Sequence, residues 1–76
     1  MKLQDQRIES GMSQSKLSET AGVSLQTLQK YERHALDVNG AKLSTLLKLC
    51  LALGCSLSDI LEDPETLALL ERYEKR

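Results

Sequence analysis

The sequence predicts an all-α fold, on the basis of its leucine content, its few aromatic residues and its regularly placed turn signals. Sixteen of the 76 residues are leucine, a strong helix former, whereas Trp and Phe are absent and β-branched residues are scarce. A chain of this length buries roughly 60% of its unfolded surface, which allows one modest core. We therefore expect a single domain over residues 1–76, without a deep catalytic cleft.

Four turn signals divide the chain into helices. Gly11, Gly22 and Gly54 are each followed by a serine two positions later, which pairs a helix-ending residue with a helix-starting one. Asp63-Pro64 supplies an N-cap followed by proline at the first helical position. These signals predict helices over residues 2–10, 14–21, 25–33, 40–53, 57–62 and 64–74. The segment 40–53 is apolar around most of its circumference, which indicates a central helix packed on several sides.

The cysteines and the hydropathy pattern indicate what the chain does not contain. Cys50 and Cys55 with the distant His34 do not supply the four close ligands of a zinc site, so we expect buried thiols, no metal and no cofactor. No stretch approaches the ~20 apolar residues that span a bilayer, and the N-terminus lacks the apolar core of a signal peptide. These observations predict a soluble cytoplasmic protein without membrane contacts.

The most informative segment is 14–33, in which two short helices are joined by about three residues. Helices connected in this way cross at a steep angle. Gly22 is needed where the chain turns sharply, and Val23 fills the wedge between the helices. Leu17 and Leu28 then point inward, so the start of the second helix of the pair projects outward.

Several groups of residues occur together at a defined spacing along the chain. They are Arg7 with Gly11, Met12-Ser13-Gln14, Leu17, Gly22-Val23-Ser24, Tyr31-Glu32, Leu46-Leu47-Lys48-Leu49, and the run from Leu53 to Leu61. With this combination, residues 3–61 resemble the Cro/cI-type helix-turn-helix regulators, also called the XRE or lambda-repressor-like family. The resemblance implies a compact five-helix lambda-repressor-like DNA-binding domain, to which 64–74 adds a C-terminal helix.

The same resemblance implies that helix 25–33 enters the DNA major groove. Gln26 can pair with adenine through two hydrogen bonds, and Lys30 can donate to guanine. Leu25 or the Thr27 methyl group can lie against a thymine methyl. The candidate base-reading residues are Leu25, Gln26, Thr27, Gln29 and Lys30. The alternative is that this polar surface is an ordinary solvated helix face.

Other residues are predicted to hold the DNA backbone or the reading helix. Gln14 lies at a helix start, where a side chain and free amides meet a phosphate together. The candidate phosphate-binding residues are Ser13, Gln14, Ser24, Arg33, Asn39 and Lys42. Arg7 and Glu32 match a family ion pair that links the first helix to the reading helix, with a donor of the arginine left for a phosphate.

Two positions depart from the family pattern. Ser18 replaces a usual alanine, so its hydroxyl needs a backbone carbonyl if it is buried. His34 replaces the glycine that usually ends the reading helix, and that helix is therefore expected to fray or to run on.

The C-terminal helix 64–74 has two interpretations. Its apolar spacing suits a helix that folds back over the core, and it also suits a two-fold dimer contact. The candidate dimer residues are Ile60, Leu61, Leu67, Leu70 and Tyr73. Dimerisation would double the footprint on a palindromic operator.

The predicted function is that of a non-enzymatic, sequence-specific regulator that binds double-stranded DNA as a homodimer. The sequence contains no catalytic constellation and no Gly-rich phosphate loop. Its net charge of −1 is unevenly distributed, since residues 1–58 carry +2 and residues 59–76 carry −3. Two alternatives remain: an antitoxin, which would also bind a toxin, and a protein-interaction module that keeps the fold with weak or no DNA binding.

Overall fold

The computed structural model describes all residues 1–76 and contains helices and turns but no strands. The five α-helices are α1 (Lys2–Glu9), α2 (Gln14–Ala21), α3 (Leu25–Glu32), α4 (Leu43–Leu53) and α5 (Pro64–Glu74), and two 3₁₀ turns cover Val38–Gly40 and Leu57–Asp59. The prediction of an all-α fold is confirmed. None of the helices combines the length and the apolar character needed to cross a bilayer.

Helices α2 and α5 begin at the capping residues that the sequence predicts, Ser13 and Asp63. The Ser13 hydroxyl accepts a hydrogen bond from the Lys16 N–H at 3.0 Å, and a carboxylate oxygen of Asp63 accepts one from the Thr66 N–H at 2.9 Å. The Thr66 hydroxyl also donates to Asp63 at 2.6 Å. These bonds, the hydroxyl bond first, lower the pKa of Asp63. Local side-chain chemistry thus defines where α2 and α5 begin.

The core lies where α2 packs against α3 and α4. Its five largest fully buried side chains are Leu3, Leu17, Leu28, Leu49 and Ile60. The N-terminus of α1 is held against the second 3₁₀ turn, because Lys2 Nζ donates to the backbone carbonyls of Ser58 and Leu61. Leu3 and Ile60 lie near the two ends of segment 3–61, so the core joins the beginning of that segment to its end.

The predicted helix over 57–62 is reduced to the 3₁₀ turn Leu57–Asp59. Ile60 ends this turn, and its N–H donates to the Leu57 carbonyl at 3.1 Å. The N–H groups of Glu62 and Asp63 donate to the side chain of Asn39 rather than to a preceding helical carbonyl. These bonds outside the segment end the helix early, so the predicted sixth helix is α5.

Helix α4 begins at Leu43, three residues later than predicted, because a separate 3₁₀ turn precedes it. In that turn the Asp37 side chain accepts the Asn39 N–H at 3.0 Å. Residues 41 and 42 are then extended, with ψ values of 154° and 143°. Helix α4 is also less enclosed than predicted, because Leu43, Leu47 and Leu51 lie exposed on its outer side.

Helix α3 does not run on at His34, although the glycine expected from the family resemblance is missing. Helix α3 ends at Glu32, and His34 takes up a left-handed backbone with φ = 62°. The Lys30 carbonyl then accepts the N–H groups of both Ala35 and Leu36, at 2.8 and 3.1 Å. His34 therefore ends the helix as a glycine would, but its Cβ makes the left-handed backbone conformation strained.

Replacing His34 with glycine is expected to raise the free energy of unfolding by about 0.5–1 kcal/mol, because relief of left-handed strain exceeds the added entropy of the unfolded chain. Urea unfolding followed by circular dichroism measures this change. Gly22→Ala is the converse substitution, because Gly22 has φ = 71°. It should lower the free energy of unfolding by about 1 kcal/mol. A less stable His34→Gly variant would contradict the strain at this position.

Candidate nucleic-acid interface

The pair α2 and α3 forms a helix-turn-helix unit around the left-handed Gly22. Leu17 and Leu28 are fully buried between the two helices, and Val23 is buried beside them, as the turn geometry predicted. The Ser18 hydroxyl donates to the Val23 carbonyl, which satisfies the polar group that replaces the usual alanine. These contacts set the crossing of the helices and leave the outer side of α3 in solvent.

The outer side of α3 is a continuous polar surface, which we call the reading face and define as Gln26, Gln29, Lys30 and Arg33. These four exposed side chains line one depression of about 340 Å³ that has no apolar lining residue. Their spacing of three, four and seven positions places them on one side of the helix. The structure thus brings three predicted base-reading residues together with Arg33, which was assigned to phosphate.

The other two candidate base readers, Leu25 and Thr27, lie half-buried at the start of α3. The Ser24 hydroxyl accepts the Thr27 N–H at 3.1 Å and donates to Thr27 Oγ1 at 2.9 Å. The Ser24 hydroxyl is therefore committed to capping α3 rather than free to donate to a phosphate. It also holds the Thr27 side chain in one orientation.

Besides Ser24, two further candidate phosphate-binding residues are engaged within the protein. Gln14 Nε2 donates to Glu32 Oε1 at 3.1 Å. Asn39 Oδ1 accepts the N–H groups of Glu62 and Asp63 at 2.8 and 3.0 Å, and its Nδ2 donates to Asp37 at 2.9 Å. Asn39 thus connects the loop after α3 to the start of α5, a role that differs from the one expected for it. The exposed candidates that remain are Ser13, Arg33 and Lys42.

Arg7 and Glu32 form a two-pronged ion pair between α1 and α3. Arg7 Nε and Nη2 donate to the two carboxylate oxygens of Glu32, each at 2.8 Å, and the side chains are only 12% and 3% exposed. The hydrogen bonds that Arg7 donates to the Glu32 carboxylate raise the pKa of Arg7. Arg7 Nη1, expected to face a phosphate, donates instead to the Met12 carbonyl at 2.8 Å. With Gln14 also bound to Glu32, this network joins α1, the start of α2 and the end of α3.

The candidate dimer residues are not on one surface. Ile60 and Leu61 are buried in the core of the single chain, so they offer no surface to a second copy. Leu67 and Leu70 are half-buried and pack against that core, and Tyr73 alone is largely exposed. Helix α5 therefore packs against the core with the side that carries Leu67 and Leu70. The prediction missed the exposed leucines of α4, although their four-residue spacing is visible in the sequence.

The thiols and acidic groups form no recognisable metal site. No cluster of three His, Cys, Asp or Glu side chains has metal-binding geometry. Cys50 is buried and Cys55 half-buried, and burial raises the pKa of Cys50 to about 12. A thiol that stays protonated at neutral pH is a poor ligand and a poor nucleophile.

A comparison with protein families matches residues 2–65 to the Cro/C1-type HTH DNA-binding domain. The chain belongs to this family. The match includes the whole Cro/C1-type helix-turn-helix unit and the ion pair of Arg7 and Glu32, but it ends at the start of α5. Searches of curated proteins and of solved structures found no significant match. The reading face of this Cro/C1-type domain therefore has to be interpreted from its own side chains.

Proposed function

We propose that the protein is a sequence-specific transcriptional regulator of prokaryotic or phage type, acting in the cytoplasm without enzymatic activity. The observation that carries the proposal is the reading face, a polar surface on the exposed side of α3 within a Cro/C1-type domain. The opposite side of α3 is anchored by buried Leu28 and by the Glu32 network. A helix held in this way presents its side chains in a defined geometry, as base recognition requires.

In the proposed complex, α3 lies in the major groove and its side chains contact base edges. Gln26 hydrogen-bonds to adenine, while Lys30 donates to guanine. Leu25 and the oriented Thr27 supply apolar contact to thymine methyl groups. Gln29 lies in the same depression and supplements these contacts.

Phosphate contacts position the domain without reading sequence. The exposed candidates are Arg33, beside the reading face, Lys42, at the start of α4, and Ser13, at the start of α2. The acidic excess lies in residues 59–76, and residues 1–58 carry a net charge of +2. This small positive charge favours weak non-specific binding and a larger share of affinity from base contacts.

A homodimer on a palindromic operator completes the proposal, because one helix-turn-helix reads only a few base pairs. Repression then follows from occupancy of the operator. The second candidate function is a protein-interaction module, for example an antitoxin with a toxin partner. The exposed leucines of α4 favour it, because such side chains commonly mark a protein contact.

In vitro selection from a random double-stranded DNA pool is expected to enrich one motif with two-fold symmetry. Binding to that motif should weaken with salt, with a logarithmic slope of about −0.9 per neutralised phosphate. Sequencing of the selected pool gives the motif, and fluorescence anisotropy over a salt series gives the slope. No enriched motif, together with no salt-sensitive binding, would contradict DNA recognition and favour the interaction module.

A further inference from the structure

A groove lies between α4, the second 3₁₀ turn and α5, and it has a volume of about 300 Å³. Leu46 and Leu61, which belong to the buried core, form its floor. Leu43, Leu69 and Tyr73 line its opening, and all three are exposed. This space, which we call the α4–α5 groove, therefore reaches from the surface down to the core. It shares no residue with the reading face.

The size and composition of the α4–α5 groove match those of a small-molecule site. Such sites have volumes of roughly 300–1,000 Å³ and apolar walls with a few polar groups. Seven of the nine residues that line this groove are hydrophobic, and the other two are Asn39 and Thr66. One turn of an α-helix, about 10 Å across and 5.4 Å long, fills about 400 Å³. The groove thus holds less than one helical turn of a partner, and a small molecule fits it better.

No charged side chain lines the groove, which selects against a charged ligand. Transfer of an ionised carboxylate, phosphate or ammonium group from water into apolar surroundings carries a large free-energy cost unless an opposite charge receives it. An uncharged ligand avoids this cost and gains free energy because its apolar surface and that of the groove leave water. The lining therefore favours a neutral, mainly apolar molecule.

The two polar lining residues retain some hydrogen-bonding capacity. Asn39 Nδ2 donates to Asp37 at 2.9 Å, which leaves one of its two amide hydrogens without a partner in the protein. The Thr66 hydroxyl donates to Asp63 at 2.6 Å, and its oxygen can still accept a hydrogen bond. Together these groups can bind one acceptor and one donor of a ligand, such as a carbonyl and a hydroxyl group.

We propose that the α4–α5 groove is a binding site for an uncharged, mainly apolar small molecule that carries one or two neutral polar groups. The apolar part of the ligand lies against Leu46 and Leu61, and its polar groups meet Asn39 and Thr66. The proposal goes beyond the proposed function and does not depend on it, because the groove and the reading face are separate surfaces.

Binding of N-phenyl-1-naphthylamine tests the groove, because this probe is uncharged, carries a single N–H group and fluoresces more strongly in apolar surroundings. With the probe held at about 1 µM, its fluorescence should rise and saturate as wild-type protein is added, with a dissociation constant on the order of 100 µM or tighter. The anion 8-anilinonaphthalene-1-sulfonate adds a sulfonate to the same skeleton. It should bind at least about fivefold more weakly.

Leu43→Glu and, separately, Leu69→Glu place a charge on the α4 wall and on the α5 wall of the groove. Each should raise the dissociation constant of the neutral probe at least about fivefold. Both side chains are exposed, at 61% and 54%, so the circular dichroism spectrum and the thermal midpoint should not change. Leu51→Glu is the matched control, because it makes the same change at an exposed leucine of α4 outside the groove. It should bind the probe as the wild type does.

The absence of saturable binding, undiminished binding in both groove variants, or an equal loss in Leu51→Glu would overturn the site. Equal or tighter binding of the sulfonate would overturn the assignment of an uncharged ligand. Probe fluorescence that falls again at high protein concentration would mean that a second copy covers the groove, and would also overturn the proposal. Selection of DNA motifs tests the proposed function separately, so the two proposals can fail independently.

Discussion

Replacing Glu32 with alanine is expected to lower the free energy of unfolding by about 3–5 kcal/mol. The change strands the buried guanidinium of Arg7, which is only 12% exposed and loses two hydrogen bonds of 2.8 Å. A chain of 76 residues has a stability of roughly 4–11 kcal/mol, so the loss is a large fraction of the total and should move the unfolding midpoint to a much lower urea concentration. Urea titration monitored by circular dichroism measures the loss.

Glu71→Ala is the matched control for this experiment. Glu71 pairs with Lys75 at 2.7 Å on the outside of α5, and both side chains are exposed. A solvated pair four residues apart contributes about 0.3–0.5 kcal/mol, so its removal should scarcely move the unfolding midpoint. Equal losses in the two variants would show that burial does not strengthen the pair of Arg7 and Glu32.

Arg7→Ala should be nearly as damaging as Glu32→Ala, because it leaves the carboxylate buried with Gln14 as its only remaining side-chain partner. The double variant should cost much less than the two single losses together, since neither charge is then left without its partner. This non-additivity separates an ion pair from two independent structural contributions. It also measures how firmly α3 is attached to α1.

The features that sequence predicted well are local ones. The N-caps Ser13, Ser24 and Asp63 depend on a side chain that bonds an amide three residues ahead, and all three form. The inward direction of Leu17 and Leu28 depends only on helical period and on the turn between the two helices. Such features need no knowledge of distant parts of the chain.

The features that sequence missed depend on contacts between distant segments. The partners of Asn39 lie 23 and 24 residues further along, and their amides are free only because the predicted helix over 57–62 stops early. Helix α4 is apolar on nearly every side, so its sequence does not indicate which side the rest of the chain leaves uncovered. Met12 was missed as a partner of Arg7 because its acceptor is a backbone carbonyl.

Replacing Gln26 or Lys30 with alanine is expected to relax sequence preference without unfolding the protein. Both side chains are exposed on the reading face, and their removal leaves the buried side of α3 intact. Loss of one good base contact costs about 1–3 kcal/mol of discrimination, or roughly 5- to 150-fold between the preferred base and its competitors. Selection of DNA with each variant, followed by anisotropy on matched and mismatched sites, measures the change.

Arg33→Ala separates base reading from phosphate contact on the same surface. If Arg33 binds phosphate, its loss should weaken all DNA sequences alike and make the salt slope shallower by about one phosphate, with the enriched motif unchanged. Gln6→Ala on α1 and Lys75→Ala at the end of α5 are the controls for Gln26→Ala and Lys30→Ala, because they remove a glutamine and a lysine away from the reading face. Neither control should change the enriched motif or the salt slope. Because α3 is held by the Glu32 network, a change of motif in the Gln26 and Lys30 variants can be assigned to the lost side chain. An unchanged motif in both would show that α3 does not read the bases through these two residues.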